Sequence, residues 1–150
     1  MPLKENHPLK SGSMCAAGSL RRASRVMSRY YDSVLKPNGL RATQFTVLCV
    51  VLHKAPVSIN QLAIVLVMDR STLARDLQPL ERQGFVSISS DESDNRVRLV
   101  SMTDEGRAVI QLAYPLWLQA QTKVTEIFGE DRLIQLIHEL KEVTTVPKNA

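Results

Sequence analysis

Cysteine, aromatic residues and long apolar runs are all scarce in this sequence, and each scarcity closes off a class of protein. Its 150 residues include two cysteines, Cys15 and Cys49, far apart and in no Cys-x-x-Cys spacing. That leaves neither a disulfide framework nor a zinc-site pattern. The three histidines, His7, His53 and His138, share no ligand spacing, so no metal is expected. No apolar run approaches the roughly 18 residues that a membrane-spanning helix needs. The opening MPLKENHPLKSGS is polar, carries prolines and lacks an apolar signal-peptide core. A cytoplasmic protein without a membrane partner is the default expectation. No glycine-rich phosphate loop is present, and no nucleophile stands beside a base, so no catalytic residue, no cofactor and no enzyme are expected.

What is present reads as one helical domain. The hydrophobic fraction of 44% is ordinary for a globular chain. The net charge of +4 permits an anionic partner without demanding one. Its distribution is uneven: residues 1–41 hold eight basic residues against two acidic, whereas residues 61–100 hold five against six.

Residues 1–12 have little to bury and read as a flexible arm. From Ser13 to Leu35, Leu20, Ala23, Met27, Tyr30 and Val34 recur at threes and fours, the mark of an amphipathic helix. Lys36-Pro37-Asn38-Gly39 breaks it. Thr43 is the predicted cap of a second helix that buries Phe45, Leu48 and Leu52 and ends before Pro56. Ser58-Ile59-Asn60-Gln61 fits a capping box for a short third helix burying Ile59, Leu62 and Ala63. A fourth helix starts within Asp69-Arg70-Ser71-Thr72, with Leu73, Leu77 and Leu80 as its buried stripe and Gly84 as a left-handed stop. Pro79 is predicted to bend its last turn. Val86–Ser89 and Arg96–Leu99 alternate with period two across an acidic tip, which predicts a hairpin with Arg96 and Arg98 on its second strand. Thr103 caps a long helix running to Phe128 with a kink at Pro115, and Leu133, Leu136, Ile137 and Leu140 mark a final one.

Short helix, tight turn, second helix and hairpin across 57–103 is the order of a helix-turn-helix with a β wing. In such units the start of the second helix enters the major groove. Ser71, Thr72 and Arg75 fall opposite the buried leucines, and Arg70 stands beside them; arginine can fork onto guanine, and Ser or Thr can serve bases or phosphates. The amides at the start of that helix offer a phosphate site as well. A wing along the minor groove would place Arg96 or Arg98 in its negative potential. Asp94, two residues before Arg96, can pair with it and fix its direction. Asp91 and Glu92 should repel phosphate unless they point away.

At this point the chain resembles the MarR (multiple-antibiotic-resistance regulator) family. The resemblance lies in Asp94-Asn95-Arg96 followed by Met102-Thr103-Asp104-Glu105-Gly106, where the family has Asp-x-Arg and then Leu-Thr-x-x-Gly. Methionine replaces the leucine. Residues 68–86, MDRSTLARDLQPLERQGFV, resemble the recognition helix and its exit, and residues 39–48 resemble the start of the second helix. The likeness covers about residues 13–145. It implies a mostly α fold with a small β-hairpin wing: a winged helix-turn-helix inside a single domain over 13–150, with 13–35 and 104–145 forming a dimerisation region. It also implies a homodimer on a near-palindromic double-stranded operator, its recognition helices spaced by one DNA turn of roughly 34 Å. The apolar long and final helices exceed what one winged unit could bury, which agrees.

The family is known for binding aromatic acids between the dimer region and the DNA-binding lobe. Arg22 and Arg25, in a stripe with Arg29, could clamp such a small carboxylate near Tyr30 and Trp117; against that, the stripe is an ordinary solvated or inter-subunit face. Trp117 and Tyr114, flanking Pro115, suit core or dimer packing better than ligand stacking. Cys15 sits where helix amides lower a thiol pKa, and some family members sense oxidants through such a thiol. Cys49 reads as core. Two functions follow: a DNA-binding regulator, expected to be a repressor released by a small effector or oxidant, and a winged-helix module that docks a protein and never reads DNA. The acidic wing tip favours the second; the exposed Ser71-Thr72-Arg75 trio favours the first.

Overall fold

The computed structural model describes residues 15–145. The arm over 1–12, the first residues of the helix expected from Ser13, and 146–150 lie outside the described residues. Helix α1 (Ala16–Leu35) leads through a 3-10 turn (Lys36–Asn38) to α2 (Ala42–Lys54). Then come β1 (Val57–Ser58), α3 (Ile59–Leu66), α4 (Arg70–Arg82), β2 (Val86–Ser90), β3 (Arg98–Met102), α5 (Asp104–Phe128) and α6 (Glu130–Val143). Among the described residues no helix is long and apolar enough to cross a membrane.

Local chemistry explains most boundaries. Ser58 and Gln61 form the expected capping box of α3, the Gln61 amide donating to Ser58 Oγ at 3.2 Å. Thr103 caps α5: its Oγ1 accepts the Gly106 amide at 3.0 Å and donates to the Gly84 carbonyl at 2.6 Å. Asp104 and Glu105 occupy the first turn, where the helix dipole favours acids. Gly84 takes the left-handed conformation, φ 76°, that ends α4.

Three expectations need correction. Thr43 does not cap α2. The Ala42 amide donates instead to Asp32 Oδ1 at 2.7 Å, and the Arg41 amide to Gln44 Oε1 at 2.9 Å. A carboxylate on α1 therefore starts the helix two residues earlier, with Arg41 at the cap position. The second wing strand begins at Arg98, and Arg96 lies in the turn, because a Val97 amide to Asp94 carbonyl bond of 2.8 Å closes that turn first. The sheet has a third strand: β3 is central, with β2 on one side and Val57-Ser58 on the other, all antiparallel. Helices α4 and α5 each continue through an internal proline, Pro79 and Pro115, as their apolar spacing predicts.

The core gathers where these elements converge. Leu35, Phe45, Leu48, Val51, Leu62, Leu73, Leu77, Leu80 and Val100 are buried together, so α2 packs against both helix-turn-helix elements and the central strand. Leu73, Leu77 and Leu80 recur at threes and fours on one side of α4, which turns its opposite side to solvent. Residues on α5 and α6 behave differently: Leu112, Ile127 and Ile134 are exposed by 60–69%.

Candidate nucleic-acid interface

The exposed face of α4 is organised by its cap. Asp69 stands in extended conformation before the first turn and accepts the Thr72 amide at 2.8 Å through Oδ1. Ser71 Oγ donates to the same oxygen at 2.6 Å, and Thr72 Oγ1 donates to Oδ2 at 2.6 Å. These bonds hold the Asp69 carboxyl well below the usual carboxylate range. Arg75, one turn on, donates from Nη2 to Thr72 Oγ1 at 3.4 Å. Arg70, Ser71 and Arg75 are exposed and Thr72 is partly so. The structure thus brings the four sequence-identified residues of α4 together, with Asp69 among them. The Thr72 amide, part of the expected phosphate site, is already occupied by that carboxylate.

The wing tip is built by two further carboxylates. Asp91 Oδ1 accepts the Ser93 amide at 2.7 Å and the Asp94 amide at 3.3 Å, and Ser93 Oγ also donates to it. Its carboxylate is bonded into the loop and held ionised there, while Glu92 is exposed without such partners among the described residues. Asp94 accepts three donors from Arg96: the amide and Nε at 3.0 Å on Oδ1, and Nη2 at 3.1 Å on Oδ2. The fork lowers the Asp94 pKa, raises that of Arg96, and leaves the arginine side chain 90% exposed. Arg98 is placed differently. Its guanidinium reaches back across the hairpin to Ser90 Oγ and the Ile88 carbonyl, both at 3.4 Å.

A second feature lies between α1, α2 and α5. Trp117 stacks on Phe45 (centroids 6.1 Å apart) and on Tyr114 (5.7 Å), each at 26°. Phe45 and Trp117 line two adjoining cavities. One, of about 270 Å³, adds Met27, Tyr31, Leu35 and Gln121. The other, of about 380 Å³, adds Cys49, Val50, His53 and Lys54. Tyr31 Oη donates to Gln121 Oε1 at 2.7 Å, and burial pushes its pKa up. Of the residues singled out from sequence for an effector, Trp117 lines this cleft; Arg22, Arg25 and Tyr30 are not among its walls. Arg22 instead donates to Ser19 on its own helix at 3.2 Å. Cys15 is exposed at the head of α1, whereas burial pushes the Cys49 thiol up. Among the described residues no cluster of three potential metal ligands occurs.

Sequence reasoning missed three contributors: Asp69, Asp91 and Tyr31. The first two had a signal, an aspartate followed two residues later by serine, which favours a side-chain turn or cap. Tyr31 had none, since only the packing of α1 on α5 selects it over Tyr30.

The sequence model of the MarR family matches residues 40–97, which contain α2, the helix pair and the wing tip. The transcriptional regulator PecS of Dickeya dadantii is 29% identical over 126 residues, covering 82% of this chain and 76% of the relative. The M. tuberculosis transcriptional regulator MosR, solved in complex with DNA, is 33% identical with a TM-score of 0.74, covering 88% of this chain and 99% of that one. BpsR of Bordetella bronchiseptica, solved in a study of how 6-hydroxynicotinic acid regulates its DNA binding, shares the fold at 20% identity. Its TM-score is 0.80, over 98% of this chain and 100% of that one.

Proposed function

The chain belongs to the MarR family, and from that premise we propose that it is a dimeric, sequence-specific DNA-binding transcriptional regulator, a repressor released by a small effector. The observation that carries the reading is Arg96, forked by Asp94 and still 90% exposed at the tip of a wing. An arginine fixed in direction and left in water suits the narrow negative potential of a minor groove. On the neighbouring surface α4 presents Arg70, Ser71, Thr72 and Arg75 to the major groove. Arg98, tied to its own hairpin, serves phosphate at the wing flank. MosR, the relative solved on DNA, supports this assignment by its likeness.

Dimerisation is supported by the apolar surfaces of α5 and α6. Leu112, Leu118 and Ile127 on α5 and Ile134, Ile137 and Val143 on α6 are all exposed, and large apolar side chains left in water on two adjoining helices suit an interface. A glutamate at Ile127 or Ile134 is expected to turn the dimer into a monomer in sedimentation. If both variants stay dimeric, that surface is not the interface.

The effector would enter the cleft on Trp117 and Phe45. Its aromatic walls fit a planar ring, and Lys54 supplies a cation at the rim for a carboxylate, with His53 beside it. Regulation is then a population shift: the effector favours a dimer whose recognition helices no longer match the operator spacing, and releases DNA by its differential affinity. The effect of 6-hydroxynicotinic acid on the DNA binding of BpsR is a precedent for this type of control. Cys15, exposed at the head of α1, is the thiol through which an oxidant would act on the same dimer region.

The test is selection of duplexes from a random pool, followed by binding across a salt series with wild type, Arg75→Ala and Arg96→Ala. Enrichment of a near-palindrome, weakened by both substitutions, supports the regulator. Weak binding indifferent to both arginines would turn the winged unit into a protein-docking module.

A further inference from the structure

We propose that Asp69 sets the base preference of the recognition helix by holding the hydroxyl protons of Ser71 and Thr72, so that both side chains can only accept hydrogen bonds from nucleobase amino groups. The proposal rests on the DNA-reading assignment above and deepens it.

The direction of each hydrogen bond follows from chemistry. A carboxylate carries no proton, so in both 2.6 Å contacts the hydroxyl is the donor. Hydrogen bonding keeps Asp69 ionised far below neutral pH, so the direction does not reverse under working conditions. The carboxylate cannot swing away at no cost, because its Oδ1 also accepts the Thr72 amide at 2.8 Å and caps the helix. A hydroxyl has one proton and two lone pairs. With the protons engaged, Ser71 presents only lone pairs, and Thr72 has one lone pair already facing Arg75 Nη2 at 3.4 Å.

The major groove then sorts the partners. Adenine N6 and cytosine N4 are its hydrogen donors; guanine O6 and N7, adenine N7 and thymine O4 accept. Phosphate oxygens accept as well. Serine and threonine in protein–DNA interfaces commonly donate to phosphate, but here that role is closed. Ser71 and Thr72 become readers of adenine or cytosine, while Arg75 supplies the donors for guanine. The negative charge of Asp69 on the same surface acts in the same sense, disfavouring a phosphate or a guanine acceptor edge beside them.

Replacement by asparagine tests the two hydroxyls separately. In Asp69→Asn the carbonyl oxygen can keep the Oδ1 position, with the Thr72 amide and Ser71 Oγ as donors. The amide nitrogen then faces Thr72 Oγ1 as a donor and turns the threonine proton outward. Asp69→Ala frees both hydroxyls. The experiment selects duplexes from one random pool with wild type, Asp69→Asn and Asp69→Ala. The positions read by Ser71 and Thr72 are located as those that lose preference in Ser71→Ala and Thr72→Val. Wild type is then measured on its selected duplex with purine in place of adenine, or 2-pyrimidinone in place of cytosine, which delete only the amino group. We expect adenine or cytosine at both positions for wild type, and about tenfold weaker binding when either amino group is removed. We expect lost preference at the Thr72 position alone in Asp69→Asn, and at both in Asp69→Ala. Wild-type binding indifferent to the missing amino groups overturns the proposal whether or not either variant folds, as does Asp69→Asn selecting the wild-type bases. A pool from which wild type enriches no duplex overturns the DNA reading and this proposal with it.

Discussion

The backbone carbonyl of Phe85 lies directly against the α-carbon of Gly106, with no room between them for a side-chain carbon. Phe85 is the residue before the first wing strand and Gly106 belongs to the first turn of α5, so the wing root and the long helix meet without a spacer. Alanine inside a helix ordinarily stabilises by about 0.5–1 kcal/mol relative to glycine. Here Gly106→Ala is expected to destabilise by about 1–3 kcal/mol, the cost of overpacking, because the added carbon meets backbone rather than a movable side chain. Urea denaturation gives the sign, and a stabilised variant would refute the close packing.

Asp94 and Arg96 make a prediction that opposes simple charge counting. Asp94→Asn removes a negative charge from the wing, which by net charge alone should strengthen binding to DNA. It also releases the fork that aims Arg96. We expect a severalfold loss of affinity with a largely preserved salt slope. In Arg96→Ala the slope should fall by about one as one phosphate-region charge is lost. Anisotropy titrations across salt separate the two.

The three capping aspartates set the acid limb of stability. Asp69 is held low by Ser71 and Thr72, Asp91 by Ser93, and Asp94 by Arg96. Each has a folded pKa depressed below its unfolded value of about 3.9. Its contribution is therefore complete above that value and is lost as pH falls toward the folded one. Stability measured by urea should stay flat on this account from neutrality to about pH 5 and decline below about pH 4. The decline should be shallower in Asp69→Asn, and a parallel limb in that variant would remove Asp69 from the explanation.

Trp117 is the sole tryptophan and lines both cavities of the cleft, so its fluorescence reports occupancy directly. Titration with a small aromatic carboxylate such as salicylate is expected to quench it. Lys54→Ala should weaken that binding about tenfold, the order of a lost charge-assisted hydrogen bond. Arg22→Ala and Arg25→Ala should leave it unchanged, and the reverse pattern would restore the arginine clamp on α1.

These outcomes bear on which parts of the molecule its sequence discloses. The helix pair was legible because its signals are local: Ser58 with Gln61, the Leu73-Leu77-Leu80 stripe, and a glycine at the left-handed stop. The Asp94–Arg96 pair was legible for the same reason, with partners two residues apart. What escaped depends on chain segments meeting in space. The cap of α2 comes from Asp32, ten residues upstream on another helix. β1 is two residues long and counts as a strand only because β3 lies beside it. The cleft uses Tyr31 rather than Tyr30, a choice of about 100° around the helix that only the packing partner makes.

The central position of β3 has a mechanical consequence. Through β1 it is bonded to Ser58, the residue that caps α3, and through β2 it carries the wing. The first helix of the helix-turn-helix and the wing are therefore joined to one strand and cannot shear against each other without breaking its ladder. A protomer resembles a key whose wing keeps its pitch to the helix-turn-helix through that strand. A signal acting through α5 would change how two such keys are yoked, from the junction where Thr103 and Gly106 fasten each one to that helix.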